Sequence, residues 1–362
     1  MESFTTEQVE RGRRYHRPRY LAQLLGLAVT VVVLGALAFS RLGDWLLPDW
    51  SWWAQALVYP AIVLAVVQLA SLPIAFWSGH LHERKWNLST QTAGGWAADA
   101  AKAFVVSTLI ATVLLFGLVA IARTTDAWPL VAAPAAALVV VFLTFIAPVV
   151  LEPIFNKFQP VEDDEVVAGI RSVSEQAGVP VRDVFVADAS RRTSKENAYV
   201  SGFGKTRRVV VYDTLLEKAK PAELRAVIAH ELAHRRYRDV LNFTLILVAA
   251  VVGFVVLLWA VLGAEAGDPR NVPIVLLLAT LAQPLLVALV AAVSRRWEYR
   301  ADRFALDVTR DPGALESAFR RLVESNVADL DPPRLVYYLK YTHPTIPERI
   351  AAIRAAAGQE AT

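Results

Sequence analysis

Residues 230–234 read His-Glu-Leu-Ala-His, a spacing that prescribes a particular chemistry. Side chains four apart on a helix share a face, so His230 and His234 can offer two imidazole nitrogens to one ion. Glu231 then lies beside the open coordination position, where a carboxylate can take a proton from water. Two neutral nitrogen ligands and an adjacent carboxylate are what zinc-assisted hydrolysis requires. With six histidines in 362 residues, this pattern should arise by chance on the order of 0.005 times. The chain has no cysteine, which excludes disulfides, a thiolate nucleophile and sulfur-ligated metals. One Zn2+ per chain, held by histidine and carboxylate, is therefore the expected cofactor.

A third protein ligand is needed, and the extended metzincin pattern does not provide it. Tyr237 stands where that pattern wants glycine, and Val240 where it wants histidine. A carboxylate remains, and Glu298 and Asp302 are four apart. They share a helix face, so one can ligate while the other accepts a hydrogen bond from a ligand imidazole. Two long apolar runs separate them from the histidines. If those runs form a hairpin, the chain returns beside His234 just where Glu298 and Asp302 occur.

The apolar runs cover residues 20–40, 54–77, 103–121, 128–151, 241–262 and 273–293. Each has roughly 19 to 24 residues, enough to cross a hydrocarbon core of ~30 Å. The composition agrees: 55% hydrophobic and 20% charged, with mean hydropathy +0.40. Soluble proteins have nearer 45–50% apolar and about 25% charged residues. The first run is too long for a cleavable signal. Arg11, Arg13, Arg14, Arg17 and Arg19 place the N-terminus in the cytoplasm. Six crossings then put the C-terminus and the polar stretch 152–239 there too. Trp45, Trp50, Trp52, Trp53 and Trp128 read as an interfacial aromatic belt. A net charge of only +3 argues against nucleic acid as a partner.

Within the polar stretch, residues 163–177 have helical spacing and stop at Gly178-Val179-Pro180. Residues 183–187, 197–200 and 207–212 read as short strands, with loops at 190–196 and 201–206. A helix should start at Pro221, carry the His-Glu motif and run on into the fifth span. The expected fold is mainly α: a polytopic bundle of six membrane helices with a cytoplasmic α+β metalloprotease domain containing a small β-sheet. Its parts are a basic cytoplasmic tail (1–19), four spans (20–151), a protease insert (152–240), a membrane hairpin (241–294) and a C-terminal catalytic region (295–362). The tail is expected to be solvated and to touch anionic lipid.

Five segments in order carry a resemblance. They are Asn197-Ala198-Tyr199-Val200-Ser201-Gly202-Phe203-Gly204, residues 210–216, residues 230–234, Ser294-Arg295-Arg296-Trp297-Glu298 through Asp302, and His343-Pro344-Thr345-Ile346-Pro347-Glu348-Arg349. Together they resemble the CAAX prenyl protease 1 type of integral-membrane zinc metallopeptidase. Residues 82–92 and 147–158 are similar to the same family's membrane domain, so the resemblance covers about residues 55 to 355. It implies that His230, His234 and Glu298 ligate zinc, and that Glu231 is the general base and then acid. It makes Asp302 the carboxylate behind a ligand and His343 the stabiliser of the oxyanion, with Asn197 and Arg349 nearby. The strand from Asn197 to Ser201 would align a peptide substrate by main-chain pairing. Eukaryotic members have seven membrane helices, and this chain has six apolar runs.

Arginine outnumbers lysine 29 to 8 and alanine is abundant, as in proteins from GC-rich bacterial genomes, where prenylated substrates are normally lacking. The expected substrates are therefore membrane-associated or misfolded proteins at the cytoplasmic face of a bacterial cell membrane. The alternative, a transporter or zinc-handling protein, would ordinarily place a charge in mid-span, and none of the six runs does so.

Overall fold

The computed structural model describes residues 4–202 and 207–360. Phe203 and Gly204 of the resemblance, and the rest of the expected 201–206 loop beyond Gly202, lie outside the described residues. The N-terminal half is built from α1 (Thr6–Phe39), α2 (Arg41–Leu46), α3 (Trp52–Phe76), α4 (His82–Lys85), α5 (Ala93–Ala122) and α6 (Pro129–Ile146). Next come α7 (Glu152–Phe155), β1 (Phe158–Pro160), α8 (Asp164–Gln176), β2 (Asp183–Ala187), β3 (Ala198–Ser201), β4 (Arg208–Tyr212), α9 (Asp213–Lys218) and α10 (Pro221–Arg236). The chain closes with α11 (Asp239–Leu262), α12 (Val272–Thr309), α13 (Pro312–Asn326), α14 (Arg334–Lys340) and α15 (Ile346–Glu360).

Among the described residues, six helices are long and apolar enough to cross a membrane, built on α1, α3, α5, α6, α11 and α12. They adjoin in the order α1, α3, α5, α6, α11, α12, and α12 packs back on α1. The sixth returns the chain to the α10 end, as the expected hairpin requires, and α10 packs along α12.

The expected solvated tail is different in the structure. Helix α1 begins at Thr6, where Thr5 and Gln8 form a capping box, so the described part of the tail is the start of the first span. Tyr15 is fully buried, and its hydroxyl donates to Glu83. Lys195 Nζ donates back to the same hydroxyl at 3.1 Å. A Cβ on Gly12 would meet the carbonyl oxygen of Ala328 at 2.5 Å, so glycine permits this close packing. The arginines that suggested a tail are partly engaged within the protein, Arg13 with Asp331 and Arg19 with Glu83. Trp128 also departs from expectation. Rather than sitting in an interfacial belt it is buried, with Nε1 donating to the carbonyl of Gly263 at 2.9 Å.

The polar region folds around a four-stranded sheet of order β1-β2-β4-β3. Strands β2 and β4 are parallel and the outer pairs antiparallel, which leaves β3 as an edge. Its inner face packs on α10. Leu224, Ile228 and Leu232, spaced at one helical face, join Val209, Val211, Leu315 and Ile350 in one buried core. That core fixes which face of α10 points away from it, and therefore where the histidines point. The helix does not continue into the fifth span. It ends at Arg236, and Arg238 adopts the left-handed conformation (φ 59°) before α11 starts at Asp239.

Candidate metal centre

Helix α10 presents His230 and His234, and α12 alongside carries Glu298 and Asp302. Nε2 of His230 lies 3.3 Å from Nε2 of His234. The Glu298 carboxylate completes the triangle, with Oε2 at 3.3 Å from His230 Nε2 and Oε1 at 3.5 Å from His234 Nε2. Ligand atoms about 2.0–2.1 Å from a tetrahedral ion stand roughly 3.3 Å from one another, close to the spacing of the two imidazole nitrogens and of each nitrogen from its nearer Glu298 oxygen. Glu298 Oε2 is buried without a hydrogen bond and faces His230 Nε2, while Oε1 faces His234 Nε2. Lone pairs brought this close out of water repel unless a proton or cation lies among them. The residues therefore fit a metal ion.

The opposite nitrogen of each imidazole is held by a carboxylate. His230 Nδ1 meets Asp302 Oδ1 at 2.9 Å, and His234 Nδ1 meets Asp239 Oδ2 at 2.9 Å. These contacts fix the tautomer that leaves both Nε2 atoms free to ligate. Each carboxylate is in turn gripped by an arginine. Arg349 Nε donates to Asp302 Oδ2 at 2.8 Å, and Arg300 donates to Asp239. Asp239 escaped the sequence reading. The sole signal for it is an acid five residues after His234, which on a continuous helix would point elsewhere. The left-handed Arg238 is what brings it back.

Charge in the centre is strongly coupled. Burial opposes protonation of His230, whereas the neighbouring carboxylates of Asp302 and Glu298 favour it and raise its pKa. Burial pushes the Glu231 carboxyl above the ordinary carboxylate range, against the pull of His230 and His234. A carboxylate raised in this way is a stronger base at neutral pH.

Glu231, His343, Asn197 and Arg349 line one cavity of about 590 Å³ with His230. His343 Nε2 is 3.3 Å from Glu298 Oε1. Asn197 precedes β3, and its carbonyl accepts from the Tyr212 amide at 3.0 Å. Arg349 is buried, and its guanidinium donates to Asp302, stands 3.5 Å from Glu298 Oε2 and is stacked 4.2 Å over Phe319. All eight residues singled out from the sequence thus lie together. His16, Arg19 and Tyr20 of α1 form another part of the cavity wall, which the reading of residues 1–19 as a tail did not anticipate.

Residues 160–357 match the family model described as peptidase family M48. The chain belongs to this family. Residues 2–157 match the model described as "CAAX prenyl protease N-terminal, five membrane helices", and the described part of that region holds four spans. An uncharacterized metalloprotease, YhfN, of Bacillus subtilis is 30% identical over 312 residues, covering 82% of this chain and 72% of that protein. CAAX prenyl protease 1 of Saccharomyces cerevisiae is 28% identical over 334 residues, 83% of this chain and 72% of that one. The crystal structure of S. mikatae Ste24p shares the fold, with TM-score 0.85 and 24% identity over 97% of this chain and 90% of that one.

The M48 match makes the protein a metallopeptidase, and the candidate spans together with the match to the CAAX prenyl protease N-terminal model make it a multi-pass integral-membrane one. The transporter or zinc-handling alternative finds no support in these matches.

Proposed function

We propose that this M48 peptidase is a zinc-dependent endopeptidase of a bacterial cell membrane. It hydrolyses membrane-associated or misfolded proteins at the cytoplasmic face and does not require a prenyl group on them. The observation that carries this reading is the triangle of His230 Nε2, His234 Nε2 and a Glu298 carboxylate, with sides of 3.3, 3.3 and 3.5 Å. Two imidazoles and one carboxylate suit zinc, with a fourth position left for reactants. His230, His234 and Glu298 would hold the zinc, which would supply Lewis acidity toward water and the scissile carbonyl.

The protein's own groups do the remainder. Glu231 takes the proton from the attacking water and passes it to the departing amine. His343 and Asn197, in the cavity wall, donate to the oxygen on which negative charge develops. Asp302 and Asp239 hold the two imidazoles, and Arg349 holds Asp302. Substrate lies along the free edge of β3, bound through its main chain with little demand on sequence. Arg235, one residue after His234, donates to the carbonyl of Val200 and ties that strand to the catalytic helix.

The decisive experiment is Glu231→Gln in purified full-length protein, with hydrolysis of an unfolded, unprenylated polypeptide followed. Zinc should stay at about one per chain while cleavage falls by several orders of magnitude. Unchanged cleavage with zinc in place would refute the assignment. For orientation, a reporter fused after Thr362 should be active only in the cytoplasm.

A further inference from the structure

We propose that α14 is a foot resting in the headgroup layer of the bilayer, and that it sets the position of the loop carrying His343. Its inner side is tied to two spans at the level where they leave the apolar core. Arg295 follows the last apolar run, and its Nη1 donates to the carbonyls of Tyr337 (3.2 Å) and Tyr341 (2.7 Å). Lys340 Nζ donates to Gln23 Oε1 at 2.9 Å, and the hydroxyls of Tyr341 and Tyr20 are 2.6 Å apart. Tyr20 and Gln23 begin the apolar run of α1. Both anchors therefore place α14 at the boundary between hydrocarbon and headgroups.

Its outer side is apolar and uncovered. Leu335 is 71% exposed and Tyr338 61%, and Leu339 is also exposed. The 335/338/339 spacing makes them one helical face. Exposed Leu21 and Leu24 flank Gln23 on α1, so the patch continues the lipid-facing surface of that span. Leucines with a tyrosine, next to the exposed Arg334, have the composition of an interfacial segment.

The foot connects to the site through a short clamp. Tyr337 Oη donates to Glu348 Oε2 at 2.9 Å, and the same carboxylate accepts the Thr345 amide at 2.7 Å, just before α15. His343 lies between these fixed points. Lipid contact on α14 thus holds the geometry of His343 against Glu298. This second half rests on the proposed role of His343, whereas the lipid contact does not.

The absence of cysteine allows single-site labelling. Leu335→Cys and Leu339→Cys, each carrying an environment-sensitive fluorophore, are reconstituted as full chains in phosphatidylcholine–phosphatidylglycerol liposomes containing nitroxide-headgroup lipid. Glu175→Cys on α8 is the control. Both α14 labels should be quenched by the nitroxide lipid and shielded from aqueous iodide, and the control should show the reverse. Labels at 335 and 339 that behave like the control would overturn the foot. So would shielding from iodide that appears only as the protein-to-lipid ratio rises and without nitroxide quenching, since the occupant would then be a second copy.

The double variant Leu335→Asp/Leu339→Asp should keep one zinc per chain and its unfolding midpoint, but lose about tenfold in kcat/KM in liposomes. Leu335→Trp/Leu339→Trp should retain activity. Quenched labels with a fully active Asp variant would overturn the coupling to His343. An active Glu231→Gln enzyme would instead overturn the peptidase mechanism and leave the quenching result standing.

Discussion

The two helices that meet at the metal centre are attached to the membrane in opposite ways. Helix α10 is cut off from its span by the left-handed Arg238, and the soluble-like domain holds it: Ile228 and Leu232 are fully buried in that core. Glu223, at its start, accepts from Ser317 (2.6 Å) and Arg321 (2.7 Å). Helix α12 has no such break. It runs 38 residues from Val272 to Thr309, carrying Glu298 and Asp302 on the same rod that crosses the bilayer. Two ligands thus belong to the sheet domain and the third to the membrane bundle. The centre forms only when the two are docked, and a metal held by all three side chains would join them.

The largest effect should come from shifting the rod. One alanine inserted after Val293 turns Glu298 by about 100° and advances it ~1.5 Å. Stoichiometric zinc and all activity should be lost. The same insertion after Leu247, beyond the break in the other helix, should leave zinc bound because α10 is held independently. Metal analysis of the two purified proteins makes the comparison, and equal metal contents would break it.

Next is Asp302→Ala. It releases His230 Nδ1 and leaves the buried Arg349 without its partner, so metal affinity should fall 10- to 100-fold and stability by about 3–5 kcal/mol. Asp239→Ala should cost a similar factor in affinity but less stability, because Arg300 is more exposed than Arg349 and can rehydrate. Chelator competition and unfolding curves separate the two. The smallest effect is expected from Arg238→Gly, which relieves a left-handed backbone and should stabilise by ~1 kcal/mol. Activity should stay unchanged, and a fall in stability would mean that the arginine side chain, and not the backbone break, matters there.

Local patterns made much of this legible in the sequence. The His-Glu motif needs only a four-residue repeat, the spans need only length, and the strands at 183–187 and 207–212 stand out by their β-branched and aromatic runs. Features set by distant partners were not legible. The arginines of residues 1–19 look solvated until Asp331 and Glu83, far along the chain, are brought beside them. Trp128 looks interfacial until Gly263 arrives as its acceptor. Strand β1 is three residues ending in Pro160 and exists through pairing with β2. Asp239 could be placed only once the helix was known to break, and nothing in Tyr237-Arg238 announces that break. The role of Arg349 likewise depends on Asp302 being buried beside it.

The cavity wall closes between residues at opposite ends of the chain. Tyr20 bonds to Asp329 and Tyr341, contacts that span 309 and 321 residues. Such long-range closures form late, because loop-closure entropy must be overcome first. Helix α1 therefore waits for residues more than 300 positions further along the chain before the cavity is whole. A peptidase assembled in this order has no finished cavity while its own chain is still unfolded and cleavable.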